Sequence, residues 1–298
     1  MWIRLRKLER LYRTVKVLYK QNDRKMKTVT IPQIAFAQSF PVKGFPSSYE
    51  KEAVLRLDPS VGIVGDRRYA FLKPGEAGLA KAWFFKTFAY VGMQDPAVAR
   101  SHIFVTKEGL LRVQRAGREF ILKPNQPDLR GFSDFTGLEG IASALANSGG
   151  RYALCDNPMP LVSLGNLATL RAFAHYIGAD EHPDYGLDLA RFRINIWIEG
   201  LEPFAEYGWL ERATSLMVGK ASMRVVKPIV RCKSIELNPQ SGHYDAGMLA
   251  MLLRFCQARN WGWAGKNGRK IEALFGVFAH PGSEGELHVG DSVFDLAL

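Results

Sequence analysis

The 298-residue sequence holds only three cysteines, Cys155, Cys232 and Cys256. Their odd number and the lack of a C-x-x-C pair exclude a disulfide framework and a structural zinc site, and point to a reducing compartment. No run approaches the roughly 18 apolar residues needed to cross a bilayer. No short apolar segment leads into a small-residue cleavage site either, so the expected location is cytoplasmic. There is no G-x-S-x-G elbow, H-E-x-x-H pair or phosphate-cradling P-loop. The six histidines, His102, His175, His182, His243, His280 and His288, are scattered without metal-ligand spacing. What remains is an ordinary globular composition, 47% hydrophobic and 23% charged, on a chain long enough for one large domain or two moderate ones.

The net charge of +11 is unevenly spread. Residues 1–25 carry nine Lys/Arg against two acids, which leaves a surplus of only four for the remainder. Leu5, Leu8, Tyr12, Val15 and Tyr19 recur at helical spacing with cations on the other face. This predicts a basic amphipathic arm over 1–28, able to touch an anionic membrane surface or phosphates. The alternative is that Met26 is the true start and the arm a spurious extension. The rest is too mildly basic to make nucleic acid an expected partner.

Beyond the arm, short strand-like runs follow at intervals of about ten residues. They include TVTIPQIAFAQSF, EAVLRLD, RRYAFLK, HIFVTK, LLRVQRAG and REFILK. This spacing predicts an antiparallel sheet or small barrel. KPNQPDLRGFSDFTG reads as a connector rich in turn residues, LEGIASALANSG as a short helix, and NLATLRAFAHYIG as a helix closed by Gly178. RFRINIWIEG, MRVVKPIVRCKSIEL, ALFGVFAH and GELHVGDSVFDL read as strands around a helix AGMLAMLLRFCQARN. The expected fold class is mainly β with a few helices (α+β). The expected domains are a β-barrel-like N-terminal domain over 29–140 and a second β-barrel domain over 141–298.

Cys232 stands at the end of a strand-like run, behind Arg231 and ahead of a Pro/Ser/Gly turn and Asp245. A lone cysteine taken by itself is most often a small buried hydrophobe, which suffices for Cys256 in its apolar helix and for Cys155 before DNPMP.

The order of landmarks says more about Cys232. FPVKG, GIVGDRRYAFL, PLVSLGNLATL, RFRINIWIEGLEPFAEYGWL, VGKASMRVVKPIVRCKSIELNPQSG and LFGVFAHPGSEGELHVGDSV follow one another across roughly residues 31–296. Together they resemble the MOSC family, named for the C-terminal domain of molybdenum-cofactor sulfurase. The likeness is to its two-part members with an N-terminal β-barrel, such as the mitochondrial amidoxime-reducing component and bacterial proteins that detoxify N-hydroxylated bases. The resemblance implies a molybdenum cofactor (Mo-molybdopterin) with Cys232 as the metal's protein ligand. It implies that Lys43 and Arg67 reach the cofactor phosphate, that Arg193 and Asn195 hold the pterin, and that Ser163 is a further phosphate contact. Arg231 and Lys233 would favour the thiolate if their charges face the site. Asp245 matches an aspartate near the cysteine loop, although an Asx turn explains it almost as well. Pyridoxal phosphate binding is a further family-level association.

The implied reaction is reduction of an N-hydroxylated small molecule by oxygen transfer to the metal. Its electrons would come from a separate reductase, ferredoxin or cytochrome-type partner, since this chain has no cysteine cluster of iron–sulfur spacing. The alternative is a carrier of the cofactor, or of sulfur as a Cys232 persulfide, without turnover. Five positions depart from the family pattern. Gly44 replaces a serine, Val91 and Met93 replace a Thr-x-Arg unit, Ile194 replaces a proline, and Ser234 replaces a threonine.

Overall fold

The computed structural model describes residues 30–47, 54–73, 89, 96–138, 144–148, 160–179, 189–239, 241–261, 263–265, 268–270 and 272–296. The chain divides into the units Met1–Ile31 and Pro32–Leu298. The basic arm, Cys155, Val91 and Met93 lie outside the described residues.

Strands and helices follow in chain order. The first are β1 (Gln33–Ala37), β2 (Val54–Asp58), β3 (Gly62–Ile63), β4 (Tyr69–Leu72) and helix α1 (Pro96–Ala99). Next come β5 (His102–Val105), β6 (Leu111–Arg115), β7 (Arg118–Leu122), α2 (Leu129–Thr136), β8 (Ala144–Asn147) and β9 (Val162–Asn166). Then follow α3 (Leu167–Tyr176), α4 (Leu189–Phe192), β10 (Ile196–Glu199), α5 (Ala205–Glu211), β11 (Ser215–Val218) and β12 (Ala221–Val230). A 3-10 turn (Lys233–Glu236) precedes α6 (Met248–Ala258), β13 (Trp263–Gly265), β14 (Gly268–Lys270), β15 (Leu274–Pro281), β16 (Gly285–His288) and β17 (Val293–Asp295).

Seven strands make the main sheet, in the order β1-β10-β9-β15-β12-β11-β17. Its two edges nearly meet: Gln33 bridges Ser292, and Ile34 donates to the Asp291 carbonyl at 2.9 Å. The sheet thus curls into an almost closed barrel, which leaves little free edge. Its neighbours run antiparallel except β9 and β10, which are parallel and separated in the chain by α3 and α4, as a parallel pair requires. β2 pairs with β16, so the second strand of the chain lies against one near its end.

Alternation decides which side chains enter the barrel. In β2, Leu55 and Leu57 point in while Val54 and Arg56 stay exposed, the period-2 pattern of a half-buried strand. They join Ile34, Leu164, Ile196, Leu216, Val277 and Leu287 in one core cluster. A second core lies between sheet and helices. Leu167, Leu170, Phe173 and Ala174 of α3 meet Met248, Leu252, Phe255 and Cys256 of α6. Both sets fall at helical spacing, and each fully buried Leu or Phe contributes roughly 1.5–3 kcal/mol. A third cluster gathers Phe45, Phe71 and Phe132 with Ile103, Val113 and Leu122 beneath the β5-β6-β7 sheet.

Several local expectations change. The stretch expected to be a connector contains α2, whose start is capped by the Asp128 side chain and whose end is closed by Gly137 at φ 66°. The stretch expected to be a short helix contains β8, which pairs with β4; strand pairing overrides the helix propensity of Ala and Leu. Arg191 and Phe192, expected to open a strand, instead close the short helix α4. α5 had no counterpart among the expected elements, since its start at Phe204 is left-handed and carries no side-chain cap.

Candidate cofactor-binding site

The site is assembled around Arg191-Phe192-Arg193-Ile194-Asn195, the link from α4 to β10. Each residue of this link engages a different part of the surroundings. Two glycines make the link possible. A Cβ on Gly165 would sit 2.6 Å from the Ile194 side chain, and one on Gly276 would sit 2.6 Å from the Leu164 carbonyl and 3.0 Å from Ile194. Ile194 is fully buried in that slot.

On one side lies the cysteine. β12 carries Pro228, which has no N–H to donate, at a bulge in its pairing with β15. The strand ends at Val230, and Cys232 opens the 3-10 turn, its carbonyl accepting from Ile235 N–H at 3.2 Å. The Cys232 thiol is half-buried, with the Ser234 hydroxyl 3.0 Å from its sulfur. A hydroxyl there supports a thiolate by donating to it. The turn is braced from behind by Arg191, which donates to the Ile235 carbonyl at 2.9 Å and to the Asp245 carboxylate at 2.6 Å. Glu236 accepts from the N–H groups of Gly247 and Leu249 at the start of α6.

Arg231, next to the cysteine in the chain, engages backbone carbonyls. Its guanidinium donates to the Phe192 carbonyl at 2.6 Å and to the Phe275 carbonyl at 2.6 and 3.0 Å. It therefore clamps the cysteine strand to α4 and β15. Lys233 is exposed.

On the other side lie the cations. Arg193 donates to the Phe45 carbonyl, and its guanidinium carbon stands 4.4 Å from the Phe40 ring centroid. Arg67 lies 5.4 Å from the same ring. Both arginines have left-handed backbones, with φ 47° and 48°. This conformation costs a non-glycine residue roughly 1 kcal/mol or more and clusters at functional positions. Lys43 is 5% exposed, in a turn where Phe45 N–H meets the Val42 carbonyl at 3.2 Å. Gly44 holds the third position of that turn at φ 83°, as a type II turn requires. The family's serine is thus replaced where the backbone here favours glycine.

Ser163 and Asn195 face each other. The Ser163 hydroxyl donates to Asn195 Oδ1 at 2.7 Å and accepts from Asn195 N–H at 2.9 Å. Asn195 Nδ2 donates to the Gln38 carbonyl and to Asp66, both at 3.2 Å. Asp66 also accepts from Phe40 N–H at 2.6 Å and pairs with Arg67. Ser163 and Asn195 therefore reach the cation side through Asp66. Asp66 and Arg191 were both missed in the sequence, where each is an ordinary charge beside a more conspicuous arginine. No cluster of three or more His, Cys, Asp or Glu able to hold a metal occurs among the described residues. Cys256 is fully buried in the second core, and burial pushes its thiol pKa up. It is a packing residue. No helix among the described residues is long and apolar enough to cross a membrane.

The donor set fits a molybdenum cofactor. A soft sulfur suits the metal, the dithiolene pterin brings its own sulfurs, and two guanidiniums with a lysine suit a phosphate.

The chain is similar to the crystal structure of the YuaD protein from Bacillus subtilis, with 10% identity and a TM-score of 0.42 over 90% of this chain and 97% of that one. No curated protein matches. The family described as MOSC domain matches residues 156–294, which include Cys232 and the whole α4–β10 link. Residues 156–294 are thus similar to a MOSC domain.

Proposed function

We propose that this protein binds Mo-molybdopterin through Cys232 and uses it to reduce N-hydroxylated small molecules. The observation that carries the reading is the convergence of two unlike half-sites on one link. A half-buried thiol stands behind Phe192, through the Arg231 clamp, and two left-handed arginines share the Phe40 ring ahead of Asn195. When bound, the cofactor supplies a two-electron centre that takes oxygen from the substrate, with electrons from a separate redox partner. The chain's own part is positioning. Cys232 offers the thiolate with Ser234 donating to it, Arg67, Arg193 and Lys43 balance the phosphate charge, and the Arg191–Asp245 pair fixes the turn that aims the sulfur.

The test is molybdenum and pterin content of the full chain from a cofactor-competent host, beside Cys232→Ala. Near-stoichiometric metal that falls at least tenfold in the variant is expected, together with amidoxime or hydroxylamine reduction by the parent chain when a reductase is added. Metal-free, pterin-free protein from such a host overturns the reading. Cofactor present without turnover selects the alternative of a cofactor or sulfur carrier, for which a half-buried thiol beside a hydroxyl is equally suited.

A further inference from the structure

Two guanidiniums on one aromatic ring repel each other, and each sits on a strained backbone. Such an arrangement persists only when its surroundings over-determine it. For Arg67 the surroundings are specific. Its backbone N–H donates to the Phe40 carbonyl at 2.7 Å, and its side chain, 19% exposed, pairs with an Asp66 side chain that is 5% exposed.

Asp66 is itself fixed through one oxygen. Oδ1 accepts from Phe40 N–H and from Asn195 Nδ2, which leaves Oδ2 directed at Arg67. Asn195 is held in turn by Ser163 through three hydrogen bonds and by the Gln38 carbonyl. The chain Ser163–Asn195–Asp66–Arg67 therefore runs from β9, through the start of β10, to the turn after β3. Its inner members are buried and its last is a partly exposed guanidinium. A carboxylate locked by neutral donors at one oxygen gives a planar guanidinium a fixed partner at the other.

We propose that Asp66 is a positioning residue that orients Arg67 toward a phosphate group, acting through the buried Asn195–Ser163 network. The proposal rests on the cofactor reading for the identity of that phosphate. It makes a distinctive claim about sign. Asp66 also lowers the local positive charge, so if it merely neutralised Arg67, removing its charge would strengthen phosphate binding. If it orients Arg67, removal weakens binding.

The experiment is a double-mutant cycle on the full chain with Asp66→Asn, Arg67→Gln and the double variant. Inorganic phosphate affinity is read by calorimetric titration, and retained pterin by fluorescence after extraction. Asp66→Asn is expected to weaken phosphate binding about tenfold, the converted cost of one charge-assisted contact. The double variant is expected to bind no more weakly than Arg67→Gln alone, because the first residue acts through the second. A merely structural role would give additive losses that follow the thermal midpoint. Additive losses, unchanged or tighter phosphate binding by Asp66→Asn, or no phosphate binding by the parent chain would each overturn the proposal. Where Asp66→Asn fails to fold, Ser163→Ala loosens the same network one bond further out and must show the same non-additivity with Arg67→Gln.

The two proposals fail separately. A coupled Asp66–Arg67 effect on phosphate in a chain that purifies without pterin removes the cofactor reading and keeps Asp66. Pterin retained alike by the parent chain and Asp66→Asn, with phosphate affinity unchanged, removes Asp66 and keeps the cofactor.

Discussion

Two buried carboxylates meet different company. Asp66, at the site, faces a guanidinium, a backbone N–H and an amide. Glu206, on α5, is 1% exposed and faces only neutral donors: Asn166 Nδ2 at 2.9 Å and the Thr169 hydroxyl at 3.0 Å, both on Oε2. Its Oε1 has no partner among the described residues. Burial without a countercharge pushes the Glu206 pKa from 4.5 up to about 7. The difference teaches that a buried acid can join elements in two ways. Asp66 does so as half of an ion pair that aims a cation. Glu206 does so through neutral donors, tying α5 to α3, whose start Asn166 also caps through Ala168 N–H.

The sharpest way to test this contrast is pH. Below about pH 4.5 Glu206 is protonated in both the folded and the unfolded chain, so its contribution to stability is complete. As pH rises the unfolded chain ionises first, and stability falls until the folded group also ionises near pH 7. The expected loss is about 3 kcal/mol across that window, at about 1.4 kcal/mol per pH unit. In Glu206→Gln the loss from this group should vanish, so urea unfolding at pH 5 and pH 8 should give closer midpoints than in the parent chain. An equal pH dependence in both proteins would remove Glu206 as its source.

A second test breaks the seam between the regions. Gly276→Ala places a Cβ against the Leu164 carbonyl and Ile194 at a backbone φ of 76°. It should cost about 2–3 kcal/mol in denaturant unfolding. Because Ile194 lies between Arg193 and Asn195, it should also lower phosphate affinity, whereas Glu206→Gln should not.

The smallest effect belongs to the Arg191–Asp245 pair. The Arg191 side chain is 3% exposed but that of Asp245 is 45% exposed. Water screens the carboxylate, and Asp245→Asn can still accept a hydrogen bond, so the loss should stay near or below about 1 kcal/mol. The difference in thermal midpoint from the parent chain should shrink between low and high salt.

Legibility in the sequence followed locality. Helix α3 was readable because Asn166 caps it, its apolar residues repeat at helical spacing, and Gly178 follows. Helix α2 was hidden by Pro, Asn, Asp and Gly that looked like turn residues, although Asp128 and Gly137 are its two caps. β8 looked helical because its partner β4 lies some seventy residues away, and propensity carries no information about that pairing. Within the site, Cys232, Lys43, Arg67 and Arg193 stood out by their place in an ordered series of motifs. Asp66 and Arg191 did not, because each is fixed by bonds to residues remote in the chain, Asp66 by Asn195 and Arg191 by Ile235 and Asp245.

The sequence by itself determined the β-rich class and the residue types of the site. Those follow from short-range patterning and from chemistry that each residue carries wherever it stands. Only the tertiary structure decided that Arg231 clamps backbone carbonyls, that Ser163 and Asn195 hold each other, and that Asp66 rather than Glu206 meets a cation. The physical reason is that hydrogen bonding and countercharge depend on what burial brings within about 3 Å, and the closing of the barrel sets those distances.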